Sequence, residues 1–372
     1  MAPHICAAAN QLVELWIAKL NRAGGNSFDT ASDIKLATMV NSVITGESFG
    51  CLVRALSSLS ESTSIEPGVA QFSGSNLPPI CRAINTMMRT ISLGLELPFA
   101  SVLLPVYTRV NPSWRSDHRL IYTYLWDLVE EARARETTLA EQVDFLTDAD
   151  CVVDMLVQQE VRGESESLNK PETLDELMTF AMGGQETTAA ALMWFVKYMA
   201  LDLDIQQHLH QEVCEVFGHS LTDSASITLE VLDDVNKTPV LEAVTSETLR
   251  CALVGSATDF LAGTDIMALN GLLGLSEEAW GPDANQWRPS RWLRPDGSFN
   301  RDAGPSGNPF GVGQRACFGQ RLATMQLKIF FTTLSRAFIF KRVALTADVW
   351  TSITLVTNQP TMSYVTLDRW DS

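Results

Sequence analysis

"PFGVGQRACFGQRLA", residues 309–323, sets Gly311, Gly313 and Gly319 around a single cysteine, Cys317, and then runs into a helical pattern. A glycine inside a loop permits positive φ or close approach of the backbone to another group. Three of them about one thiol mark a surface against which something is pressed. The apolar spacing of "FGQRLATMQLKIFF" predicts a helix that begins just after Cys317 and ends near Ala337. Exposed N–H groups and the dipole at such a helix start favour a thiolate over a thiol. Arg315, two residues before the cysteine, adds a fixed positive charge suited to a carboxylate.

Working outward, "MGGQETTAAAL" stands in the middle of the longest helical pattern, which runs from near Thr173 to about Leu201. At ~1.5 Å per residue, about 28 residues make a rod of roughly 42 Å. Thr173 with Glu176 fits a capping box at its start. Gly183 and Gly184 in the interior each cost about 1 kcal/mol relative to alanine. A helix that opens a gap for a ligand tolerates that cost; the plain alternative is a glycine kink beside a surface glutamate. In "SETLRC", Glu247 and Arg250 lie three apart and share a helix face, a pattern that alone usually marks a solvated pair. "WRPSRWL", residues 287–293, then supplies Arg291.

Phe310-x-x-Gly313-x-Arg315-x-Cys317-x-Gly319 resembles the haem-binding signature of the cytochromes P450, and the other three stretches fall in that family's order between Thr173 and Ala323. The resemblance implies that Cys317 is the axial thiolate on the iron of haem (iron protoporphyrin IX). It implies that Arg315 pairs with a haem propionate, and that Phe310, Gly313 and Gly319 belong to the same cofactor loop. By the same resemblance Gly184 leaves room for O2, while Glu186 and Thr187 deliver protons. Glu247, Arg250 and Arg291 would form a buried charged triad supporting the haem-side loop, a network that is costly unless complete. The bland alternative for Cys317 is a buried structural thiol in a glycine turn.

What the resemblance implies for function is a haem-thiolate monooxygenase that hydroxylates or epoxidises an apolar small molecule with O2. Electrons would come from an NADPH–cytochrome P450 reductase, docking on the thiolate side where Arg321 and Lys328 offer positive charge. Met178, Ala181, Met182 and residues 353–356 would line the pocket, with ordinary core as the alternative for the methionines. "LEAVTSETLR", "GPDANQWRPSRWL" and "GQETTAAALMWF" are similar to fungal members, which often act in secondary metabolism. Two other readings stand beside this one: a haem-thiolate isomerase or dehydratase needing no external electrons, and a non-catalytic haem-binding or interaction protein. The Gly-Gln-Glu-Thr relay opposes the first of these, since that relay serves dioxygen activation.

The chain also departs from the family. It begins near a segment, "LWIAKLNRAGG", before which family members carry an anchor, several helices and the first sheet. Only thirteen positions separate Arg250 from Gly263, where members place a much longer segment. The expected fold is mainly α with small β elements, an incomplete cytochrome P450 fold forming one domain over 1–372. Within it lie the central helix at about 173–201, the Glu-x-x-Arg helix at about 237–252, and the meander and haem-binding loop at about 280–319.

Bulk properties bound the rest. The chain has 372 residues, of which 46% are hydrophobic, enough to fill a substantial core. With 27 Lys+Arg against 44 Asp+Glu, the formal charge of −17 argues against a general nucleic-acid role and leaves a local basic patch open. The 7 cysteines form no Cys-x-x-Cys clip and the 5 histidines complete no zinc pattern, so a reducing compartment and mostly core thiols are expected. No basic n-region opens the chain, and Glu14 interrupts the first apolar run. "LGLELPFASVLLPVY", residues 93–107, carries Glu96 and two prolines and is too short to span a bilayer. It reads as a buried helix–loop junction, with a membrane-surface segment as the alternative. The expected location is cytoplasmic or peripheral, or the cytoplasmic side of the endoplasmic reticulum for a longer form. Further helices are expected over 10–22, 31–45, 80–97, 116–135, 147–160, 204–217 and 227–234. Residues 46–75 and 253–302 read as loop, and the C-terminal tail as short strands.

Overall fold

A computed structural model describes residues 2–38, 51–59, 63–72, 79–97, 99–140, 149, 151–163, 168–220, 227–252, 254, 257–261, 264–268, 273–304, 309–354 and 357–370. The first half of the chain holds helices α1 (Ala2–Ala23), α2 (Ala31–Ala37), α3 (Cys51–Ser57), α4 (Pro79–Glu96), α5 (Ala100–Val110), α6 (Pro112–Ala140) and α7 (Val152–Val161). The second half holds α8 (Lys170–Met199), α9 (Leu203–Phe217), α10 (Leu229–Leu232), α11 (Pro239–Ala252), α12 (Glu277–Trp280) and α13 (Gln320–Ala337). The strands are β1 (Ser27–Asp29), β2 (Thr63–Glu66), β3 (Val69–Gln71), β4 (Ala257–Leu261), β5 (Thr264–Ala268), β6 (Phe338–Lys341), β7 (Ser352–Thr354), β8 (Asn358–Pro360) and β9 (Tyr364–Arg369). The mainly helical character expected from the apolar spacing is therefore observed. Two compact units emerge: residues 1, 39–51 and 75–185, and residues 2–38, 52–74 and 186–372.

In the first unit α6 is the spine, and α4 and α7 pack against it. Its buried positions Ile121, Leu125, Leu128, Val129 and Ala132 recur at helical spacing, so one stripe meets its neighbours. Arg133 then reaches Glu160 on α7 at 2.8 Å. The start of α8 differs from expectation. The reciprocal capping box is made by Asn169 and Glu172, with Glu172 N–H on Asn169 Oδ1 at 3.1 Å and Asn169 N–H on Glu172 Oε2 at 3.0 Å. Thr173 instead turns its hydroxyl to the Asn169 carbonyl at 3.2 Å, one turn inside the helix. The segment read as a buried junction is also corrected. It contains α5, which carries Pro105 and has no buried residue. Phe99 (81% exposed), Val102, Leu103, Val106 and Val110 project from one side of it.

The second unit is built on α13, where every residue from Met325 to Ala337 is buried. α1, α9 and α11 pack around it. α1 supplies Ile5, Ala9, Leu12 and Trp16 at i, i+4, i+7 and i+11, all buried. Beside it a five-stranded sheet runs in the order β2-β3-β1-β9-β6. β1 and β3 are parallel, while β9 lies antiparallel between β1 (Phe28 opposite Val365) and β6 (Phe340 opposite Leu367). Gly68, at φ +83, turns the chain between β2 and β3 where a Cβ would come 3.0 Å from that of Ala344. Two stretches read as loop thus contain regular structure. α3, β2 and β3 fall within 46–75, and a β4–β5 hairpin, Ala257 opposite Ala268, falls within 253–302. Residues 39–45 of the expected helix 31–45 lie outside the described ones. Among the described residues no helix is long and apolar enough to cross a membrane.

Candidate functional site

The cysteine loop is shaped by its glycines. Gly311 at φ 71 and Gly313 at φ 70 occupy the left-handed region that side-chain-bearing residues avoid. A Cβ added at Gly313 would meet nothing within 4 Å, so the backbone itself forms the loop surface there. The Cys317 N–H donates to the Phe310 carbonyl at 2.7 Å, closing the loop across the turn Gly313–Arg315. Gly319 caps α13, and a Cβ added to it would sit 3.9 Å from Cys317 Sγ. The side chain of Arg315 is not among those described.

Six cysteine side chains are described, and they divide sharply. Cys6, Cys81, Cys151, Cys214 and Cys251 are buried, whereas Cys317 is exposed. Burial pushes the Cys6 and Cys151 thiols up to about 11 and Cys251 to about 12, which keeps these three protonated and inert. Beside Cys317, Val312 is 65% and Phe318 83% exposed, so the sulfur is set in uncovered apolar surface. Among the described residues no cluster of three or more His, Cys, Asp or Glu could hold a metal ion by itself. One soft sulfur flanked by apolar side chains suits a metal already held in a flat apolar macrocycle that needs a single axial ligand. Haem is such a group, and the donor set fits it.

Glu247, Arg250 and Arg291 meet in a dry cluster. Glu247 Oε1 accepts Arg250 Nη2 at 2.7 Å, Arg291 Nε at 2.9 Å and the Arg288 N–H at 2.8 Å. Oε2 accepts Arg250 Nε at 2.8 Å and Trp292 Nε1 at 2.9 Å. The other guanidinium protons of Arg250 go to the carbonyls of Gly274, Ala284 and Gln286. The two ion-paired side chains of Glu247 and Arg250 are 0% and 2% exposed, roofed by Trp280 and Trp292. Burial alone raises the Glu247 pKa, but bonding to Arg250 outweighs it and holds the carboxyl below its ordinary value. This completeness is what lets a buried charge persist. Trp292 is the member sequence reasoning missed, although it adjoins Arg291 in "WRPSRWL".

Gly184, Glu186 and Thr187 lie within a single turn of α8. Glu186 is 6% exposed and its carboxylate is gripped from two distant segments, by Lys35 Nζ at 3.4 Å and by the Gln359 amide. Neither partner had a local signal, because each is more than a hundred positions away in sequence. Thr188, next to Thr187, buries a hydroxyl with no hydrogen-bond partner among the described residues. Among the described residues no hydrogen bond or ion pair links Cys317 to Glu186.

Other expected site residues are placed differently. Lys328 is 3% exposed, pairs with Glu242 and donates to the Leu232 carbonyl at 2.7 Å. It faces the interior because α13 is buried over its whole C-terminal part, so it offers no surface charge to an electron donor. Arg321 does lie at the surface, 3.1 Å from Asp233. Met178 and Ala181 are buried, and Ile353 is 49% exposed. The Met182 side chain and residues 355–356 lie outside those described.

A family model described as Cytochrome P450 matches residues 1–364. A cytochrome P450 monooxygenase of Pestalotiopsis microspora is 30% identical, over 90% of this chain and 66% of its own length. The chain thus spans just under two thirds of that curated relative. Among solved structures, a cytochrome P450 superposes with a TM-score of 0.71 at 16% identity, covering 98% of this chain and 73% of that one. A second, a cytochrome P450 heme domain, gives 0.72 at 15% identity over 99% and 72%. These two likenesses concern the fold.

Proposed function

The chain belongs to the cytochrome P450 family, and on that premise we propose that it is a haem-thiolate monooxygenase with Cys317 as the axial ligand. The reaction would place one oxygen atom of O2 into a C–H or C=C bond of an apolar small molecule, with electrons from an NADPH–cytochrome P450 reductase. The proposal extends to fungal secondary metabolism, and the likeness to a monooxygenase of Pestalotiopsis microspora supports its fungal part. The observation that carries this reading is the exposed Cys317 in its glycine loop, set against five buried cysteines.

Haem, when bound, supplies the redox chemistry, and thiolate ligation favours O–O cleavage. The residues do the rest. The Phe310 carbonyl holds the Cys317 backbone, which fixes where the sulfur points. Glu247, Arg250 and Arg291 brace the segment from Gly274 to Trp292, ahead of that loop. Glu186 and Thr187, adjacent on α8, would deliver the protons that oxygen activation consumes.

The test is spectroscopic. The reduced, carbon-monoxide-treated chain should show the strongly red-shifted Soret band of a thiolate-ligated haem, and Cys317→Ala should abolish it. A band that survives the substitution, or a chain that takes up no haem, overturns the reading. For the relay, Thr187→Ala should raise electron consumption per product formed; unchanged coupling removes Thr187 from that role. The grip of Lys35 and Gln359 on Glu186 favours a second reading of that residue, as a fastening between segments. In that case Glu186→Gln lowers stability and leaves coupling intact.

A further inference from the structure

An open groove of about 380 Å³ lies in the first unit, lined by Trp114, Arg115, His118, Arg119 and Tyr122 of α6 and by Lys170 at the start of α8. Its floor is aromatic. Trp114 and His118 lie 4.8 Å apart between ring centroids, and His118 stacks on Tyr122 at 4.0 Å, so three rings follow one another along the helix. Burial lowers the His118 pKa, with Asp175 opposing, which keeps the imidazole a neutral member of that stack. Its rim is cationic. Arg115 and Arg119 are exposed, one turn apart, and neither guanidinium has a partner among the described residues. Two nearby carboxylates are already engaged, Asp175 by the Tyr122 hydroxyl at 2.5 Å and Glu172 by the Asn169 N–H at 3.0 Å, while Asp117 is two residues from each arginine and so off the helix face they share.

Two features separate this groove from an ordinary solvated helix face. In a chain of formal charge −17, two exposed arginines one turn apart with no ion-pair partner among the described residues are unusual. In addition, Trp114 Nε1 is buried with no hydrogen-bond acceptor among the described residues. A buried donor without a partner is unfavourable, and an acceptor brought to it by a bound ligand would satisfy it. The edges of the stacked rings, which meet the face of another aromatic ring favourably, together with two exposed guanidiniums that have no partner among the described residues, select for a ligand that is both aromatic and anionic.

We propose that this groove binds an aromatic anion, an aryl group carrying a phosphate, sulfate or carboxylate, with the ring against Trp114, His118 and Tyr122 and the anion on Arg115 and Arg119. The site is independent of the haem reading, since all its residues belong to the unit that does not contain Cys317. Phenyl phosphate, titrated calorimetrically into the haem-loaded full chain, should bind saturably. Inorganic phosphate should bind about tenfold more weakly and phenol undetectably. The exposed-surface double variant Arg115→Gln/Arg119→Gln should keep the circular dichroism and melting temperature of the parent and lose phenyl phosphate affinity about tenfold. Trp114→Phe, which keeps a ring and removes the N–H, should weaken binding less than the double variant does. Absence of saturable binding to the unaltered chain overturns the proposal. So does equal affinity for phosphate and phenyl phosphate, or a folded double variant that binds as the parent does.

Discussion

A single carboxylate shows how much one residue can hold. Glu247 accepts five N–H groups from four residues, two of them guanidinium-bearing side chains, in a site with no exposure. Replacing it by glutamine leaves Arg250 and Arg291 charged and underpaired, and stability should fall by about 3–5 kcal/mol in urea titrations. The pH dependence follows from the direction of its shift. Because the folded pKa lies below the ordinary value of about 4.3, the contribution is present above that pH and is lost as pH falls through the lower, folded value. Glu247→Gln should therefore flatten the stability profile in that acid range. A variant with the parent's acid sensitivity would show that other carboxyls govern it.

At the scale of elements, the long helix α8 is set by its first turn. Asn169 supplies the cap and Glu172 returns the bond, so Asn169→Ala should lower stability by about 1 kcal/mol. Thr173→Ala should cost less, since its hydroxyl bonds a carbonyl inside the helix rather than an orphan N–H. Equal losses from the two substitutions in thermal melts would contradict this assignment of the cap. α5 makes a different point. Pro105 within it and the left-handed Phe99 before it, at φ 55, disguised a helix as a loop. Its exposed side chains show that it earns little of its order from burial.

At the scale of the whole molecule, the sheet of the second unit joins chain ends that are remote in sequence. β9 sits between β1 and β6, and beside it Thr30 bonds the Ser363 carbonyl through both N–H at 2.8 Å and hydroxyl at 2.6 Å. Removing residues 364–372 takes out an internal strand and exposes two edges, which invites aggregation. The shortened chain should lose cooperative unfolding by circular dichroism. A cooperative melt at the parent's temperature would mean that β9 contributes nothing to the core it covers.

Local chemistry made much of this legible from the chain alone. The glycine-flanked cysteine, the interior glycine pair and the helices around α8, α9, α11 and α13 depend on neighbours within a few turns, so their spacing reveals them. Long-range pairing made the rest illegible. β2 and β3 are too short to announce themselves and exist because Val69 and Ala70 find Ser27 and Phe28. Lys328 reads as a surface cation until α13 is buried around it, and Lys35 and Gln359 reach Glu186 only once three remote segments are brought together. Periodicity and motif spacing report what a residue does to its own helix or turn. Burial, ion pairing and the exposure of one sulfur among five hidden ones are properties of contacts between segments, which exist only in the folded chain.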